Sequence, residues 1–576
     1  MSWLDVVEEK QTLPPRKRLA ELFYEKFFYN DLISSYDDPQ LGAANLMAIL
    51  AFPGLLNLFF VPRYILMGSV PAAVRDLNVL GDRFLWLTFS MAVMGLLTTL
   101  QWDRLFPDRR DYMILGPQPV SMRLLFEAQA IGLGRFLGLF FVIGNLGSAL
   151  FFPIAAVPWA ASLLHGLAFA IGHWVSLVFG CLFVALLVVA LQGVLANILS
   201  PRPFERISAL AQSLSAAFFL GTIVLLPLVR VRALAGVEEI GLVSEQNTAA
   251  WMYPPMWFAA LGEWIAGRGV GSLALFAGYA VGAVSLTAAV AVGSYLLSYR
   301  RFLRRSLESI GQKQPGESWL GEAARRWLRR AWLRDPSERA AFLFTLWTLG
   351  RSRQQRLYFG SFLAVGVAIV FAQSLGVSSL AAPSQRVLAQ PYVLLFLALV
   401  GMRVVFSFPA DLAANWAFRF HATDGVRMYL RGVRKAMWLV GPVGLVALTS
   451  AGSVALWGAW PAITHFCLMA VASWVLVEAA LAGACKIPFT CNHAGGRPHA
   501  IIIWTFCAVG MLTFSQMMAV AEISLLESGW DLAQLIVGGV LAGTVWIRYR
   551  RELEEGSEGP VFEDEGDILI YRFELK

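Results

Sequence analysis

Along the chain, apolar residues gather into twelve runs of about 20 residues separated by polar segments. Runs of that length reach across a roughly 30 Å hydrocarbon core as helices. Spans are therefore expected near 41–62, 84–101, 126–151, 163–193, 206–229 and 270–298, and again near 357–379, 388–408, 437–458, 461–484, 500–522 and 529–547. The first of these holds Pro53 and Asn57, which predicts a broken helix. Ahead of it, Pro14 to Asn30 sets Leu19, Leu22, Phe23 and Phe27 among Arg16, Lys17, Arg18, Glu21, Glu25 and Lys26. That is helical periodicity with one apolar face, the pattern of a helix lying in the membrane interface.

Between the two sets of six lies a hydrophilic stretch, Tyr299 to Arg356, with fourteen Lys and Arg. The sets match in layout. Each opens on a charged amphipathic stretch, then has two spans and a long charged loop. Two more spans, a short loop rich in Pro or Gly and a final pair follow. Six is an even number, so the halves enter the membrane in the same sense, as parallel repeats that can line a central pathway. Gly311 to Gly321 reads as the linker between them.

Composition and charge give this pattern a setting and an orientation. The 576 residues are 57% hydrophobic and 15% charged, against about 25% charged in an ordinary soluble domain. Met1 to Asp38 lacks the short apolar core and small-residue site of a cleaved leader, so the first span is expected to be retained. With the N-terminus inside, the cytoplasmic segments hold 37 Lys and Arg and the opposite loops 7. By the positive-inside rule both termini and the basic middle face the cytoplasm, and topology thereby accounts for the basic residues without nucleic acid.

Candidate chemistry is sparse. No G-x-x-x-x-G-K-[ST] phosphate loop occurs, and Gly132-Leu133-Gly134 sits in a span rather than between a strand and a helix. No nucleophile, base and acid are arranged for catalysis, so the chain by itself is not expected to be an enzyme, and no cofactor is expected. Ionisable groups inside spans are costly and often functional; here they are Arg135, Arg403, Glu478, His165, His173 and His465. Arg403 and Glu478 share a depth near the cytoplasmic side, where they can pair or snorkel separately. Cys485, Cys491, His493 and His499 cluster, but with wider intervals than zinc sites favour, and no metal is expected. The five cysteines form no disulfide framework. The carboxylates from Glu552 to Asp567 read as a solvated acidic tail.

Several short motifs resemble ABC-2-type exporter permeases. Leu115-Gly116-Pro117-Gln118-Pro119-Val120, followed by Arg123 and Leu124, looks like the Leu-Pro-Ile-Ser motif after the second span in that family, with Gly-Pro-Gln in place of Pro-Ile-Ser. Tyr253 to Phe258, Ala414-Asn415-Trp416-Ala417-Phe418-Arg419 and Lys486-Ile487-Pro488-Phe489-Thr490-Cys491 are similar to segments of its large bacterial members. The resemblance implies a transmembrane subunit driven by a separate cytosolic ATPase. It also implies interfacial connecting helices at Pro14 to Asn30 and about Glu338 to Arg353. Coupling helices would lie around Arg109 and Asn415, with a partly re-entrant element at Tyr253 to Gly262.

These readings together describe an all-α polytopic protein of a bacterial inner membrane, a fused pair of six-span units. Its parts are an amphipathic N-terminal segment (1–40), a first membrane half (41–298), a basic linker and interfacial helix (299–356), a second half (357–547) and an acidic tail (548–576). The expected activity is that of an exporter's permease for an unidentified substrate, docking a cytosolic ABC ATPase through Arg109, Arg110, Asp411, Asn415, Trp416 and Arg419. Two rivals remain: a gradient-driven carrier using Arg403 and Glu478, and a structural or assembly subunit of a membrane complex.

Overall fold

A computed structural model of the chain describes residues 14–28, 72–105, 121–156, 162–234, 253–268, 272–308, 332–333, 335–374, 382–410, 426–481, 487–490, 500–527, 537–539, 543–546 and 548–549. Among them there is no strand and nearly every residue is helical. Ten helices are long and apolar enough to cross a bilayer, and they coincide with ten of the twelve expected spans. The protein is thus an all-α, multi-pass membrane protein. The expected span at 41–62 lies outside the described residues, and the one at 529–547 is described only in fragments. The chain divides into two compact units, Met1–Lys313 and Gln314–Lys576.

The first unit contains α1 (Pro15–Phe28), α2 (Ala72–Leu100), α3 (Met122–Ala156), α4 (Leu163–Ile198), α5 (Pro201–Leu234), α6 (Pro254–Ile265) and α7 (Ser272–Glu308). Its core forms where α2, α4, α6 and α7 meet, around Leu87, Met91, Leu177, Val184, Met256, Phe258 and Ala280. α6 has 12 residues and rises only about 18 Å, too little to cross a bilayer. It is nonetheless buried: Met256, Phe258, Ala259 and Ala260 are wholly enclosed. α5 packs on α2 by seating the Phe219 ring in the space that Gly95 leaves open.

α2 is held firmly where it ends. The last carbonyls of a helix lack partners within it. Here Gln212 of α5 donates to the Thr99 carbonyl (3.0 Å), and Gln192 of α4 to that of Trp102 (2.7 Å). Gln129 of α3 donates to the Arg104 carbonyl, and the Trp102 indole donates to the Ser208 hydroxyl at 2.8 Å. Three neighbouring helices therefore grip the chain just before residues 106–120.

The second unit contains α8 (Pro336–Arg351), α9 (Arg353–Ser374), α10 (Gln385–Val405), α11 (Val426–Trp438), α12 (Gly444–Trp457), α13 (Ala459–Leu481) and α14 (Ala500–Glu527). α9 packs along α10, α10 along α13 and α14, and α12 along α13. A π-turn over Leu439–Val443 joins α11 to α12 and contains Pro442. Proline has no N–H to donate and crowds the preceding turn, which accounts for the widening there. The end of α10 is held by a different device. The Phe489 amide donates to the Phe406 carbonyl (3.0 Å), and the Ala410 amide donates to the Phe489 carbonyl (3.0 Å). To reach both, Phe489 takes a left-handed φ of 66°, a conformation costing a non-glycine residue about 1–2 kcal/mol. Its fully buried ring packs edge-on against Phe406 and Phe344, which offsets that strain.

The two units share one crossing in atomic detail. α1 packs along α3, from Arg16 against Glu127 to Phe28 against Phe140, and comes closest at Gly132, where an added methyl would stand 3.0 Å from the Tyr24 amide nitrogen, 3.1 Å from Phe23 Cβ and 3.2 Å from the Ala20 carbonyl. α8 lies across α11 at Gly432, where the methyl would collide with the Glu338 carbonyl and stand 2.9 Å from the Phe342 amide nitrogen and 3.0 Å from Ala341 Cβ. Each lead-in helix thus presents an i, i+3, i+4 triple (Ala20, Phe23, Tyr24; Glu338, Ala341, Phe342) to a glycine, because only a missing side chain lets the backbones come so close. Gly432→Ala is expected to lower the unfolding temperature in detergent by several degrees, the signature of roughly 1–3 kcal/mol of overpacking. Gly134→Ala, with nothing within 4 Å, should leave it unchanged or raise it, since glycine inside a helix costs about 0.5–1 kcal/mol. Equal responses would contradict the crossing.

Candidate functional site

Polar chemistry in each unit concentrates at two levels, one at the glycine crossing and one near the opposite ends of the spans. At the crossing, a basic residue three positions after the glycine pairs with an acid on the lead-in helix. Arg135 Nη1 meets Glu21 Oε2 at 2.9 Å and Lys435 Nζ meets Glu338 Oε1 at 2.5 Å. Lys435 also donates to the Trp332 carbonyl and lies over its ring, 5.6 Å from the centroid. In the first unit Glu127 adds contacts to Arg16 (3.4 Å) and Arg123 (3.0 Å). Arg135 is about half exposed, so its pair contributes little beyond roughly 1 kcal/mol; Glu338 is nearly buried and its pair is more tightly held. Burial and the adjacent Glu21 carboxylate push the Tyr24 phenol up, with Arg135 pulling the other way.

Glu478, on α13, is buried and joined to Arg434 of α11 at 3.0 Å, a neighbour of Lys435. Its role is therefore to tie α13 to the helix that α8 crosses. Arg403 projects from an exposed position on α10. Arg109, Arg110, Asp411, Asn415, Trp416 and Arg419 lie outside the described residues. What is described is the helix at each border of their stretches: α2 and α3 around 106–120, α10 and α11 around 411–425. The Ile487–Thr490 turn carries the Ile-Pro-Phe-Thr part of the motif at Lys486 to Cys491. It is wedged against α8 and α11, with Ile487 buried beside Ala341 and Tyr429. Cys485, Cys491, His493 and His499 lie outside the described residues.

The other level holds the groups that hydropathy passes over. Arg83 is fully buried in α2, paired with Glu263 of α6 at 2.7 Å. The candidate span of this helix runs from Asn78, ahead of the expected start near 84. Asp82 and Arg83 interrupt the apolar run in sequence, but burial against Glu263 admits the arginine to the helix's membrane-spanning length. Its guanidinium lies 4.1 Å from the Phe169 ring centroid. Beside it Gly172 of α4 touches Gly262 of α6 backbone to backbone. His173 is buried with Nε2 3.3 Å from the Ser148 hydroxyl. His165 is exposed at the start of α4, where the Ser162 hydroxyl caps the helix and meets its Nδ1 at 2.7 Å.

In the second unit, Glu522 of α14 accepts from the Tyr392 hydroxyl of α10 (2.8 Å) and meets His465 Nδ1 of α13 (2.9 Å). His465 Nε2 meets the Thr449 hydroxyl of α12 at 3.0 Å. Sequence spacing offered a signal for Glu522 only in its position at the last residue of an expected span. No family model, curated protein or solved structure matches the chain. Geometry alone therefore carries the functional reading.

A buried ion pair is costly to break, because the survivor is left charged in a medium that cannot solvate it. Glu263→Ala is expected to destabilise the protein by about 3–5 kcal/mol in detergent unfolding. The double variant Arg83→Met/Glu263→Met should recover most of that loss. A double variant as unstable as the single one would contradict a mainly electrostatic role.

Proposed function

We propose that the chain is the transmembrane permease subunit of an ATP-driven exporter in a bacterial inner membrane, with twelve spans, cytoplasmic termini and a separate cytosolic ATPase. One observation supports this reading above the others. In each unit the stretch expected to dock the ATPase, 106–120 or 411–425, leaves a helix whose end is gripped by neighbours and re-enters at a helix crossed by the lead-in helix at a glycine. Helix ends held in this way pass a push on to the spans instead of absorbing it, since close-packed interiors transmit displacement. ATP-dependent closure of the partner would press on Arg109 and Arg110 in one unit and on Asp411, Asn415, Trp416 and Arg419 in the other. The load would pass into α2 and α3, and into α10 and α11.

The buried Glu522–His465 contact favours a second reading, a carrier driven by an ion gradient. Transport that survives an uncoupler while ATP is maintained supports the first reading; collapse supports the second. Arg109→Glu and Arg419→Glu are each expected to cut ATPase recovery in a pull-down about tenfold or more. Full recovery together with full transport would overturn the docking assignment.

A further inference from the structure

Glu522 and three side chains linked to it form a closed set. Glu522, His465 and Tyr392 are each 1% exposed or less, and Thr449 completes the chain Tyr392–Glu522–His465–Thr449 through contacts of 2.8, 2.9 and 3.0 Å. They come from four helices, α10, α14, α13 and α12. The site lies about 8–12 Å inside the helix ends, counting 1.5 Å per residue. His465 stands about 20 Å along α13 from Glu478 by the same rise, so this is the end of the unit remote from the α8 crossing. The other charged side chains on these helices at this end, Arg386 of α10 and Glu527 of α14, are exposed, and α12 contributes none. Gln385 and Gln516 are neutral and bonded to each other at 3.0 Å.

Proton counting constrains the set. The Thr449 hydroxyl lies 2.9 Å from the Leu445 carbonyl and donates to it, so its oxygen is left to accept from His465 Nε2–H. The Tyr392 hydroxyl donates to Glu522 Oε2. Nδ1 and Oε1 then face each other at 2.9 Å, and two lone pairs cannot sit at that distance without a proton between them. With the Thr449 hydroxyl turned to Leu445, the arrangement holds one proton, shared as imidazolium and carboxylate or as imidazole and carboxylic acid. If that proton leaves, a hydroxyl rotation and a shift of the remaining imidazole proton restore the contacts among the four side chains, at the expense of the Thr449–Leu445 bond. Thr449 turns from Leu445 to donate to Nε2, and the remaining imidazole proton moves to Nδ1 and donates to the carboxylate. The unit then carries one additional buried negative charge, which favours rearrangement of the helices around it.

We infer that Glu522, His465, Tyr392 and Thr449 form a reversible binding site for a single proton inside the membrane-spanning part of the second unit. The inference is independent of the ATPase, because proton binding here requires only the residues of the second unit. Glu522→Gln is the decisive variant. A carboxamide accepts from Tyr392 through its oxygen and donates to His465 Nδ1 through its nitrogen, which preserves every contact without a titrating proton. The full-length protein, labelled with nitrogen-15 at histidine and embedded in lipid vesicles, is titrated by NMR, and the His465 signal is assigned by its loss in His465→Gln. In the wild type His465 is expected to lose its Nε2 proton and become the Nδ1–H tautomer as pH rises, in one step. In Glu522→Gln it should remain the Nε2–H tautomer throughout. Thr449→Val removes two contacts from the proton-loaded form, Nε2–H to the hydroxyl and the hydroxyl to Leu445, against one from the proton-free form, and is expected to weaken proton binding about tenfold. A wild-type His465 that keeps one protonation state across the titration overturns the site, as does a Thr449→Val midpoint equal to that of the wild type. Glu522→Gln titrating like the wild type would exclude Glu522 as the shared partner.

Discussion

Hydrocarbon does not solvate charge, and the polar skeleton of this protein follows from that. An ionised side chain among membrane-spanning helices needs its counter-charge at contact distance, and whatever carries the counter-charge is then fixed in place. Glu263 holds the short helix α6 against Arg83 of α2 at 2.7 Å. Without that pair, α6 would keep its apolar packing but lose the contact that sets its depth. Glu478 ties α13 to α11 through Arg434. Glu522 draws α10, α13 and α14 together through Tyr392 and His465. These pairs supply placement more than net stability, since the desolvation of both partners cancels much of their attraction.

A second constraint is steric and repeats across the units. The α1 crossing of α3 and the α8 crossing of α11 use different side chains, Ala20, Phe23 and Tyr24 in one and Glu338, Ala341 and Phe342 in the other. The geometry is nevertheless the same: a glycine on the crossed helix, and three residues later a basic side chain paired to the lead-in helix. The likeness between the units thus lies in backbone approach and charge placement rather than in residue identity. Divergence shows elsewhere. Three amide side chains and an indole grip the end of α2, whereas a strained phenylalanine holds the end of α10.

Much of this architecture is legible in the sequence because lipid demands long apolar helices, and ten of the expected spans coincide with described helices. The sites are less legible. Arg83 breaks the apolar run and so hides its own inclusion in a span. Its partner is 180 residues away, a distance that periodicity does not bridge. Gly132 stands among Gly134 and Gly138, which have open space around them, so nothing local marks it as the crossing point. Gly432 lies in a basic stretch that reads as a loop until α8 is seen to lie on it. Glu478 is visible as a buried acid, but its tie to Arg434 emerges only when α11 is placed. His465 is visible as a polar residue in a span; the carboxylate that gives it meaning lies 57 residues further on, at the far end of another helix.

The proposed topology requires both units to enter the membrane in the same sense, with α1 and α8 at the cytoplasmic face. Single cysteines replacing the exposed Leu22 of α1, Trp347 of α8 and Leu163 at the start of α4, in a background without other cysteines, can be probed with an impermeant maleimide on vesicles of known sidedness. Leu22→Cys and Trp347→Cys should both react from the cytoplasmic side alone, and Leu163→Cys from the opposite side alone. Labelling of positions 22 and 347 from opposite sides would contradict the parallel arrangement.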